Sequence, residues 1–521
     1  MKTKIKLLLV LTTSIICTMN LSAQQIQCNW SNHSNLGYSF ALSVASGQGN
    51  TSYTGGICRT IVLGSDTIHN GNDAGFTAKY DSLGNFVWAK FFESSDICHV
   101  KSVSTDKDTN VFTVLEFRGS ISIGSNTFTA PNIPYNSDFL LTKHSSNGSL
   151  QFVKHFHSQG NIEALLVQTD INENAIVLWK SIDTTFVDNM SVSSNGWYFI
   201  AKIHNSGNIL WIKSLNKNIG VLYGRESMAV DFNNDLLLTG NYFDTLSWGN
   251  SQLINTNPIV KGFIGKLNSS GNELWAKQVG SGYIQGEQII SDENGNIYNC
   301  GVGNGMQYFS NTDSTNLTSS CFFITHYDQD GNYKDYLRFA SYCNMRSLAF
   351  RDNKLYVSGQ NWVKYRPIIY SLDTSLNLID SAEFSTYNAV SQSTDIDSDG
   401  NILMGGGFHN YLNIGSCLMS VNGSGYFIAK FKFTNNVNVN IPTSNEEISF
   451  YPNPANTYLN IEASLQSLDD FRVNIYDCNG RLVHTQILDS KTDRINIRNF
   501  KSGIYFIRLN DGKNVLSKKF I

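Results

Sequence analysis

Apolar and polar positions alternate in short segments along most of this chain, and one pattern recurs at intervals of about sixty residues. An apolar segment ends in a basic residue, followed by a Gly, an aromatic residue and a second Lys at fixed spacings, as in Lys266, Gly271, Trp275 and Lys277. A period of two with a Gly between the segments predicts a β-hairpin. Earlier copies are Lys79, Gly84, Trp88, Lys90; Lys143, Gly148, Phe152, Lys154; and Lys202, Gly207, Trp211, Lys213.

A second hairpin pattern accompanies each copy: an apolar segment, a turn rich in Asp, Asn and Gly, and another apolar segment that commonly ends in Gly. The clearest case runs from Met228 to Gly240, and further copies occupy residues 289–301, 348–359 and 394–405, with looser ones near Ala41, Ser102 and Ala164. Two hairpins per period make four strands, and a four-stranded sheet repeated radially is a propeller blade. The sequence therefore predicts an all-β, seven-bladed β-propeller.

The last three copies depart from the pattern. His326 and Ser371 take the basic position of the fifth and sixth copies, Asp335 and Asp380 replace the aromatic residue, and Leu376 replaces the Gly. The seventh copy, at Lys430, has no outer strand behind it. We expect residues 27–31 to supply that strand, with Trp30 at the aromatic position, and so to close the ring without a covalent joint. Loops of irregular length, such as 242–261 and 306–320, are expected on one rim, where a binding surface could be built.

The N-terminus has the features of a secretory signal peptide: Lys2, Lys4 and Lys6, an apolar run over 7–17, and small residues before a cleavage site after Ala23. We assign residues 1–23 to it and expect an exported, soluble mature chain. Its eight cysteines show no metal-ligand spacing and allow 105 pairings, so we expect mostly buried thiols with one or two disulfides.

Charge excludes one class of function. The formal net charge is -4 and charged residues make up 15% of the chain, which offers no basic surface for nucleic-acid phosphates. We expect no nucleic-acid partner and no cofactor, and we expect a monomer.

A different pattern begins after the repeats, which we assign to residues 24–434. A polar segment, 435–447, predicts a linker, and residues 448–521 form short alternating segments separated by Gly-containing turns, which predict a small β-sandwich. This last module carries an ordered set of motifs at Tyr451, Pro452, Asn453, Pro454, Gly480, Arg481, Leu482, Gly503, Tyr505, Lys518 and Lys519.

These motifs resemble the type A C-terminal sorting domain of the type IX secretion system of the Bacteroidetes. The resemblance implies export through the periplasm, recognition by the outer-membrane translocon and delivery to the cell surface or the medium. It also implies removal by a sorting peptidase, and we expect cleavage in the linker. The repeats more loosely resemble a bacterial propeller-repeat family that often precedes such domains, which implies a fold and no activity.

Few motifs suggest chemistry. Asp395, Asp397 and Asp399 alternate before Gly400, as calcium loops do. Gly406 stands where such a loop needs an acid, so turn chemistry is the favoured interpretation and no metal is expected. Trp88, Trp211 and Trp275 recur once per blade, which favours blade packing over sugar stacking, and the repeated lysines are expected at solvent-facing strand ends.

Candidate binding residues are Arg225, Glu226, Glu287 and Arg346, which fall at or just before innermost strands and could line the channel entrance or form a structural ion-pair ring. His155 and His157 lie on one face of a strand, which permits a metal pair. No nucleophile elbow, HExxH or phosphate loop occurs. The leading hypothesis is a non-catalytic surface propeller that binds a glycan or protein. The alternatives are a secreted hydrolase or lyase acting on polysaccharide or peptide at the channel mouth, and a spacer without a small ligand.

Overall fold

A computed structural model describes residues 26–34, 37–64, 66–131, 136–193, 196–215, 218–220, 227–256, 259–310, 313–339, 343–434 and parts of 448–520, namely 448–451, 455, 457–463, 472–477, 482–487, 492–501, 503, 505–510 and 515–520. The predicted signal peptide and the predicted linker with its cleavage site lie outside these residues. The described residues divide into a unit that ends at Phe433 and a unit that begins at Thr434.

The first unit is built from four-stranded antiparallel sheets, because each repeat carries two successive hairpins. Strand β1 (Ile26–His33) precedes the first full sheet. Blade 1 contains β2 (Ser39–Ser46), a short 3-10 turn (Gln48–Asn50), β3 (Ser52–Leu63), β4 (Asp66–Tyr80) and β5 (Phe86–Phe92). Blade 2 contains β6 (Cys98–Thr105), β7 (Val111–Phe117), β8 (Ser120–Ile123), β9 (Asn126–Thr129), β10 (Asp138–His144) and β11 (Leu150–Ser158).

Blades 3 to 5 follow the same plan. Blade 3 contains β12 (Ile162–Thr169), β13 (Ala175–Ser181), β14 (Thr185–Val187), β15 (Met190–Val192), β16 (Tyr198–Ile203) and β17 (Ile209–Ser214). Blade 4 contains β18 (Met228–Val230), β19 (Leu236–Tyr242), β20 (Thr245–Trp248), β21 (Ser251–Ile254), β22 (Lys261–Leu267) and β23 (Glu273–Val279). Blade 5 contains β24 (Tyr283–Ser291), β25 (Ile297–Tyr308), β26 (Ser314–Tyr327) and β27 (Tyr333–Arg338).

The last two blades complete the ring. Blade 6 contains β28 (Cys343–Arg351), β29 (Lys354–Asn361), β30 (Arg366–Asp373) and β31 (Leu378–Glu383), and blade 7 contains β32 (Ser385–Ile396), β33 (Ile402–Ile414) and β34 (Cys417–Phe433). Strand β1 hydrogen-bonds to β34 as the outermost strand of blade 7. The prediction of a seven-bladed propeller closed by its N-terminal strand is therefore confirmed.

The six outer hairpins and the closing β1–β34 ladder share one register. The basic position pairs with the aromatic position in every blade, including the two degraded copies, where His326 faces Asp335 and Ser371 faces Asp380. The other pairs are Lys79 with Trp88, Lys143 with Phe152, Lys202 with Trp211, Lys266 with Trp275, and Lys430 with Trp30. The alignment of the degraded copies is thus correct, since the strand register survives the loss of the motif residues.

Ring closure differs from the expectation in one respect. Cys28, in the N-terminal strand, forms a disulfide with Cys417 at the start of β34, across 389 residues of sequence. The predicted closure without a covalent joint is therefore wrong. Sequence could not select this pair from the many possible ones, because Cys417 is brought to Cys28 only when the ring is closed. Cys58, Cys98 and Cys343 are buried free thiols, and Cys300 and Cys321 are also buried.

The loops between second and third strands also differ from the expectation. Residues 242–261 contain the β20–β21 hairpin, and 306–320 lie largely in the paired ends of β25 and β26. The predicted loops of irregular length are thus formed largely by paired strand extensions. In blade 3 the β14–β15 hairpin pairs with β11, the outer strand of blade 2.

Hydrophobic clusters lie between adjacent sheets, where the flat faces of neighbouring blades meet. One contains Leu166 and Ile176 of blade 3 with Met228 and Leu238 of blade 4, all buried. Because each sheet buries its faces against its neighbours, no blade has a complete core by itself.

The second unit contains β35 (Ile448–Tyr451), β36 (Tyr458–Ala463), β37 (Arg472–Asp477), β38 (Leu482–Ile487), β39 (Thr492–Asn496), β40 (Tyr505–Asn510) and β41 (Val515–Phe520). They form one sheet in the order β35-β36-β39 and another in the order β38-β37-β40-β41. Leu459 and Ile495 of the first sheet share a buried cluster with Val473 and Ile507 of the second. The sandwich stays a prediction. In the described part of the chain, no helix has the length and hydrophobicity to span a membrane.

Candidate functional site

The propeller has two faces that differ in their connections. On the turn face lie the tight turns that join first to second and third to fourth strands. On the hairpin face lie the extensions between second and third strands and the links between blades. Ile26 pairs with Phe433 in the closing ladder, so the described chain enters and leaves the propeller on the turn face.

Turns on the turn face share one chemistry. In the inner turn of blade 7, Asp397 Oδ1 accepts the backbone N–H groups of Asp399 and Asn401 at 3.0 and 2.9 Å. Gly400 adopts a positive φ of 73° in this turn, a conformation that a glycine takes without steric cost. Asp106, Asp170, Asp231 and Asp292 begin the equivalent turns of blades 2 to 5 in the same way. The repeated Asp, Asn and Gly residues are thus explained by turn geometry.

The first lysine of the repeat is buried wherever it occurs, so the expectation that it faces solvent is wrong, whereas the second lysine, as at Lys90 and Lys154, is half-buried. Lys430 Nζ lies 3.0 Å from Asp397 Oδ2, and both side chains are almost wholly inaccessible. Lys143, Lys202 and Lys266 pair with Asp106, Asp170 and Asp231 at 3.0, 2.7 and 2.7 Å. The lysine also reaches the next blade, since Lys430 Nζ donates to Asn50 O at 2.6 Å. A buried carboxylate that caps a turn requires a positive partner, which the sequence pattern alone does not reveal.

The aromatic and glycine positions meet between blades. Trp88 Nε1 of blade 1 donates to Ser146 O of blade 2 at 3.1 Å, and a Cβ added at Gly148 would lie 3.2 Å from the Trp88 ring. Trp211 donates to Ser269 O of blade 4, and Trp30 donates to Ser82 O of blade 1. Gly331 lies against Trp275 in the same way. These tryptophans therefore act in packing between blades.

Among the described residues, the innermost strand of every blade except blade 4 carries a β-bulge. Glu287 is the extra residue in β24 and Arg346 is the extra residue in β28. Equivalent positions are Leu42, Lys101, Leu165 and Gln392. Bulges often redirect side chains at functional edges of sheets. The structure thus places two predicted site residues at equivalent positions of neighbouring blades, whereas Arg225 and Glu226 lie outside the described residues.

Electrostatic interactions couple Glu287 and Arg346. Burial raises the pKa of the Glu287 carboxyl to about 7, although the positive charge of Arg346 opposes this rise. Burial also lowers the pKa of the Arg346 guanidinium, while Glu287 raises it. Arg346 donates to Gln392 Oε1 at 2.9 Å, and its Nε is buried with no hydrogen-bond partner among the described residues. This group therefore keeps unused hydrogen-bonding capacity.

Below the bulges, serine hydroxyls join the inner strands of neighbouring blades. Ser102 Oγ accepts from Val167 N at 3.2 Å, and Ser347 Oγ accepts from Thr394 N at 2.8 Å. A cavity of about 400 Å³ in the channel is lined by inner-strand residues of all seven blades. Its lining is mostly aliphatic and hydroxylic, with Asp395 as its carboxylate.

The calcium candidates have other partners. Asp395 Oδ2 accepts from the backbone N–H and the hydroxyl of Ser46 at 2.6 and 2.7 Å, and burial raises its pKa. Asp397 binds Lys430, and Asp399 accepts from Asn50 at 2.5 Å. Among the residues that the structure describes, no group of three or more acidic, cysteine or histidine side chains is placed to hold a metal ion. The rings of His155 and His157 lie on one face of β11 with their centroids 5.1 Å apart, and His155 pairs with Asp138 at 2.8 Å.

Exposed aromatic side chains concentrate on the hairpin face. They are Tyr38, Trp197, Phe243, Tyr308, Trp362, Tyr365 and Tyr411, whereas Phe232 is the exposed aromatic side chain found in the described turns of the opposite face. Sequence reasoning missed these residues because none belongs to the repeat. All of them except Tyr38, which precedes β2, lie in non-repeating segments between second and third strands, and that position was the available signal.

Comparison with known proteins concerns mainly the second unit. Residues 449–521 match the family described as a secretion system C-terminal sorting domain. The chain is a propeller cargo of the type IX secretion system. The sorting domain directs this cargo to the cell surface or the medium and implies interaction with the secretion machinery.

Sorting-motif residues of this cargo are partly described. Tyr451 and Leu482 are exposed, while Tyr505 is buried and donates a hydrogen bond to Lys501 O at 2.7 Å. Gly503 lies just before β40, and Lys518 and Lys519 lie in β41. Pro452, Asn453, Pro454, Gly480 and Arg481 lie outside the described residues.

Solved structures similar to the cargo include a protein of unknown function from Bacteroides caccae, with 12% identity, a TM-score of 0.33, and coverage of 59% of this chain and 89% of that one. The β-propeller domain of the Trilobed protease from Pyrococcus furiosus has 7% identity, a TM-score of 0.40, and coverage of 78% and 98%. TM-scores this low support no argument about function. The comparison with curated proteins finds no match to the chain.

Proposed function

We propose that this cargo is a non-catalytic glycan-binding protein that uses its hairpin face at the cell surface or in the medium. The observation that carries the proposal is the concentration of exposed Trp and Tyr rings on that face. Such rings offer a large apolar surface with a polar tip, so they are frequent in binding surfaces. Surrounding Asn, Ser and Thr residues in the same hairpins supply hydrogen-bond donors and acceptors that suit hydroxylated ligands.

The turn face differs from the hairpin face, and this difference supports the proposal. Its repeated polar side chains are committed to turns and to neighbouring blades, as with Asp397 and Lys430. The last propeller strand also ends on that face, at Phe433. A ligand on the hairpin face would therefore not compete with the contacts that hold the blades together.

A glycan array probed with the purified, fluorescently labelled protein tests the proposal. We expect binding to at least one saccharide family, with loss of binding when the exposed rings of the hairpin face are replaced together by alanine. The matched control replaces Phe232, Ile171 and Leu83, which are exposed on the turn face, and is expected to retain binding. Saccharide binding lost in the turn-face variant and kept in the hairpin-face variant would contradict the proposal, as would recognition of peptides alone.

The second candidate is a hydrolase or lyase acting on polysaccharide or peptide at the channel mouth. Glu287 favours it, because a carboxyl with a pKa of about 7 can donate a proton at neutral pH. Glycoside hydrolysis commonly needs a second carboxyl on the other side of the scissile bond, and the charged group that acts on Glu287 here is the Arg346 guanidinium. New reducing ends or amino termini, formed by the wild type and not by Glu287→Gln, would support this candidate over the binding proposal.

A further inference from the structure

The ring of hairpin extensions is interrupted at blade 6. Strands β29 and β30 are joined by only residues 362–365, whereas blades 5 and 7 extend their second and third strands well beyond this level. The short turn contains Trp362, Val363 and Tyr365, all more than half exposed. The blade that lacks an extension therefore presents two exposed rings three residues apart within one turn.

Hydrogen bonds hold this turn in one conformation. Asn361 Oδ1 accepts the backbone N–H groups of Val363 and Lys364 at 3.0 and 3.2 Å. Tyr365 O accepts from Ala389 N of blade 7 at 2.9 Å. Tyr365 has a φ of 53°, which is uncommon for a bulky residue and persists only where the surroundings impose it. The two rings are therefore presented by a fixed backbone, which lowers the entropy cost of binding.

The turn lies close to the channel mouth. Gln360 pairs with Asn344 in β28 and donates to Ala389 O in β32 at 2.8 Å. Arg346 is two residues further along β28 than Asn344, and Gln392 is three residues further along β32 than Ala389. At ~3.3 Å per residue along a strand, Arg346 and Gln392 lie roughly 7–10 Å further from the hairpin face than Gln360 at the base of the turn.

The polar groups at the channel mouth can form further hydrogen bonds. Arg346 has an unpartnered Nε, and Gln392 uses its carbonyl oxygen to bind Arg346. Glu287 faces Arg346 from blade 5, and among the described residues no ion pair joins the two side chains. A guanidinium, an amide and a carboxyl supply both donors and acceptors with little net charge, which matches the hydroxyl groups of an uncharged sugar.

From this geometry we infer that the blade-6 turn and the bulge residues of blades 5 to 7 form one neutral-oligosaccharide site, here called the blade-6 site. Sugar rings stack on Trp362 and Tyr365, and the end of the oligosaccharide reaches Glu287, Arg346 and Gln392. The inference rests on the proposed glycan-binding function and adds the location and the ligand class. Lys364 and Arg366 pair with Glu383 beside the turn, so they are not free to select an acidic sugar.

The test compares two pairs of exposed rings in the full-length secreted protein. Trp362→Ala with Tyr365→Gly removes the rings of the blade-6 site, and glycine keeps the positive φ at position 365. Trp197→Ala with Tyr38→Ala is the comparison pair, because it removes one Trp and one Tyr of similar exposure from blades 3 and 1. Phe232→Ala with Leu83→Ala, two exposed side chains of the turn face, is the control. Calorimetric titration uses hexamers of β-1,4-glucan, β-1,4-xylan, β-1,4-mannan and α-1,4-glucan, and oligogalacturonate as the acidic probe.

We expect the wild type to bind at least one neutral hexamer and the blade-6 variant to bind it roughly 10- to 100-fold more weakly, which corresponds to about 0.7–1.4 kcal/mol for each lost ring. The comparison pair is expected to lose less affinity than the blade-6 variant, and the turn-face control to change affinity less than about threefold. Arg346→Gln, which keeps an amide beside Gln392, is expected to weaken binding about tenfold. If the comparison pair loses binding and the blade-6 variant keeps it, the site is wrong and the glycan-binding function stands. Binding of oligogalacturonate alone overturns the ligand class. If neither the hexamers nor a glycan array shows binding, the proposed function fails with the inference.

Discussion

The two faces of the propeller are made by the same sheets, yet they use polar and aromatic side chains in opposite ways. On the turn face, Asp and Lys are buried in pairs, and Trp rings pack under the turns of the next blade. On the hairpin face, aromatic rings are exposed, and Arg346 retains an unpartnered donor. Residues that repeat in every blade therefore stabilise the ring, and residues that occur once are available for a ligand.

The largest expected effect comes from breaking a buried ion pair of the turn face. Lys430→Met leaves the Asp397 carboxylate buried without its cation, which is expected to lower the free energy of unfolding by about 3–5 kcal/mol. Lys432→Met is the control, because Lys432 is exposed on the same strand, and its effect should stay within ~0.5 kcal/mol. Urea denaturation of the two variants measures both; equal stabilities would show that the pair contributes nothing.

The next effect concerns the Cys28–Cys417 disulfide, which joins the N-terminal strand to the hairpin of blade 7. Cys28→Ser with Cys417→Ser frees the N-terminal strand from that hairpin. The loss of the cross-link is expected to cost about 2–5 kcal/mol, because an open chain of this length has more conformational freedom when unfolded. Unfolding is measured with and without reductant. A reductant that destabilises the double variant as strongly as the wild type would contradict the assignment.

A third prediction compares glycines on the two faces. Gly84 has a φ of 85°, and an added Cβ would meet the Trp30 ring at 2.5 Å, whereas Gly305 has a φ of 79° and open space around it. Gly84→Ala is expected to cost about 2–4 kcal/mol through backbone strain and overpacking. Gly305→Ala should cost only about 1 kcal/mol, from the backbone alone. Thermal and urea unfolding of both variants would reveal any reversal of this order.

The smallest effect is a pH dependence at the channel mouth. Glu287 has a folded pKa of about 7, raised from 4.5 by burial. Above pH 4.5 the folded state therefore binds more protons than the unfolded state, and stability falls as pH rises toward 7. Glu287→Gln should remove this slope and stabilise the protein by about 1–3 kcal/mol at pH 8. Unfolding measured from pH 5 to 8 tests it, with Glu273→Gln on an outer strand as the control.

Asp170 on the turn face gives a pH dependence of stability with the opposite sign. Burial raises its pKa, but hydrogen bonds from Lys202 and Asn174 outweigh this effect, and the net pKa lies below the usual value. Its stabilising contribution is present above the unfolded pKa of ~3.9 and is lost as pH falls below it. Hydrogen bonds thus stabilise the ionised form of Asp170 on the turn face, whereas burial disfavours the ionised form of Glu287 at the channel mouth.

By itself the sequence determined the blade count, the shared register of the outer hairpins, the closing strand with Trp30 and the sorting domain. Each of these depends on local periodicity, on turn residues or on motifs that remain readable within one repeat. The degraded fifth and sixth copies kept their register because spacing, rather than the identity of Asp335 or Asp380, fixes strand pairing.

Only the tertiary structure decided the burial of the repeated lysines, the Cys28–Cys417 disulfide and the exposed turn of blade 6. Lys430 is buried by contacts with Asp397 and with a neighbouring blade that lies hundreds of residues away in sequence. The exposure of Trp362 and Tyr365 depends on the absence of a hairpin extension in blade 6 and on a hydrogen bond from blade 7. Local patterns fix strands because each strand is defined by its own alternation, whereas partners across the ring are set only when the sheets pack.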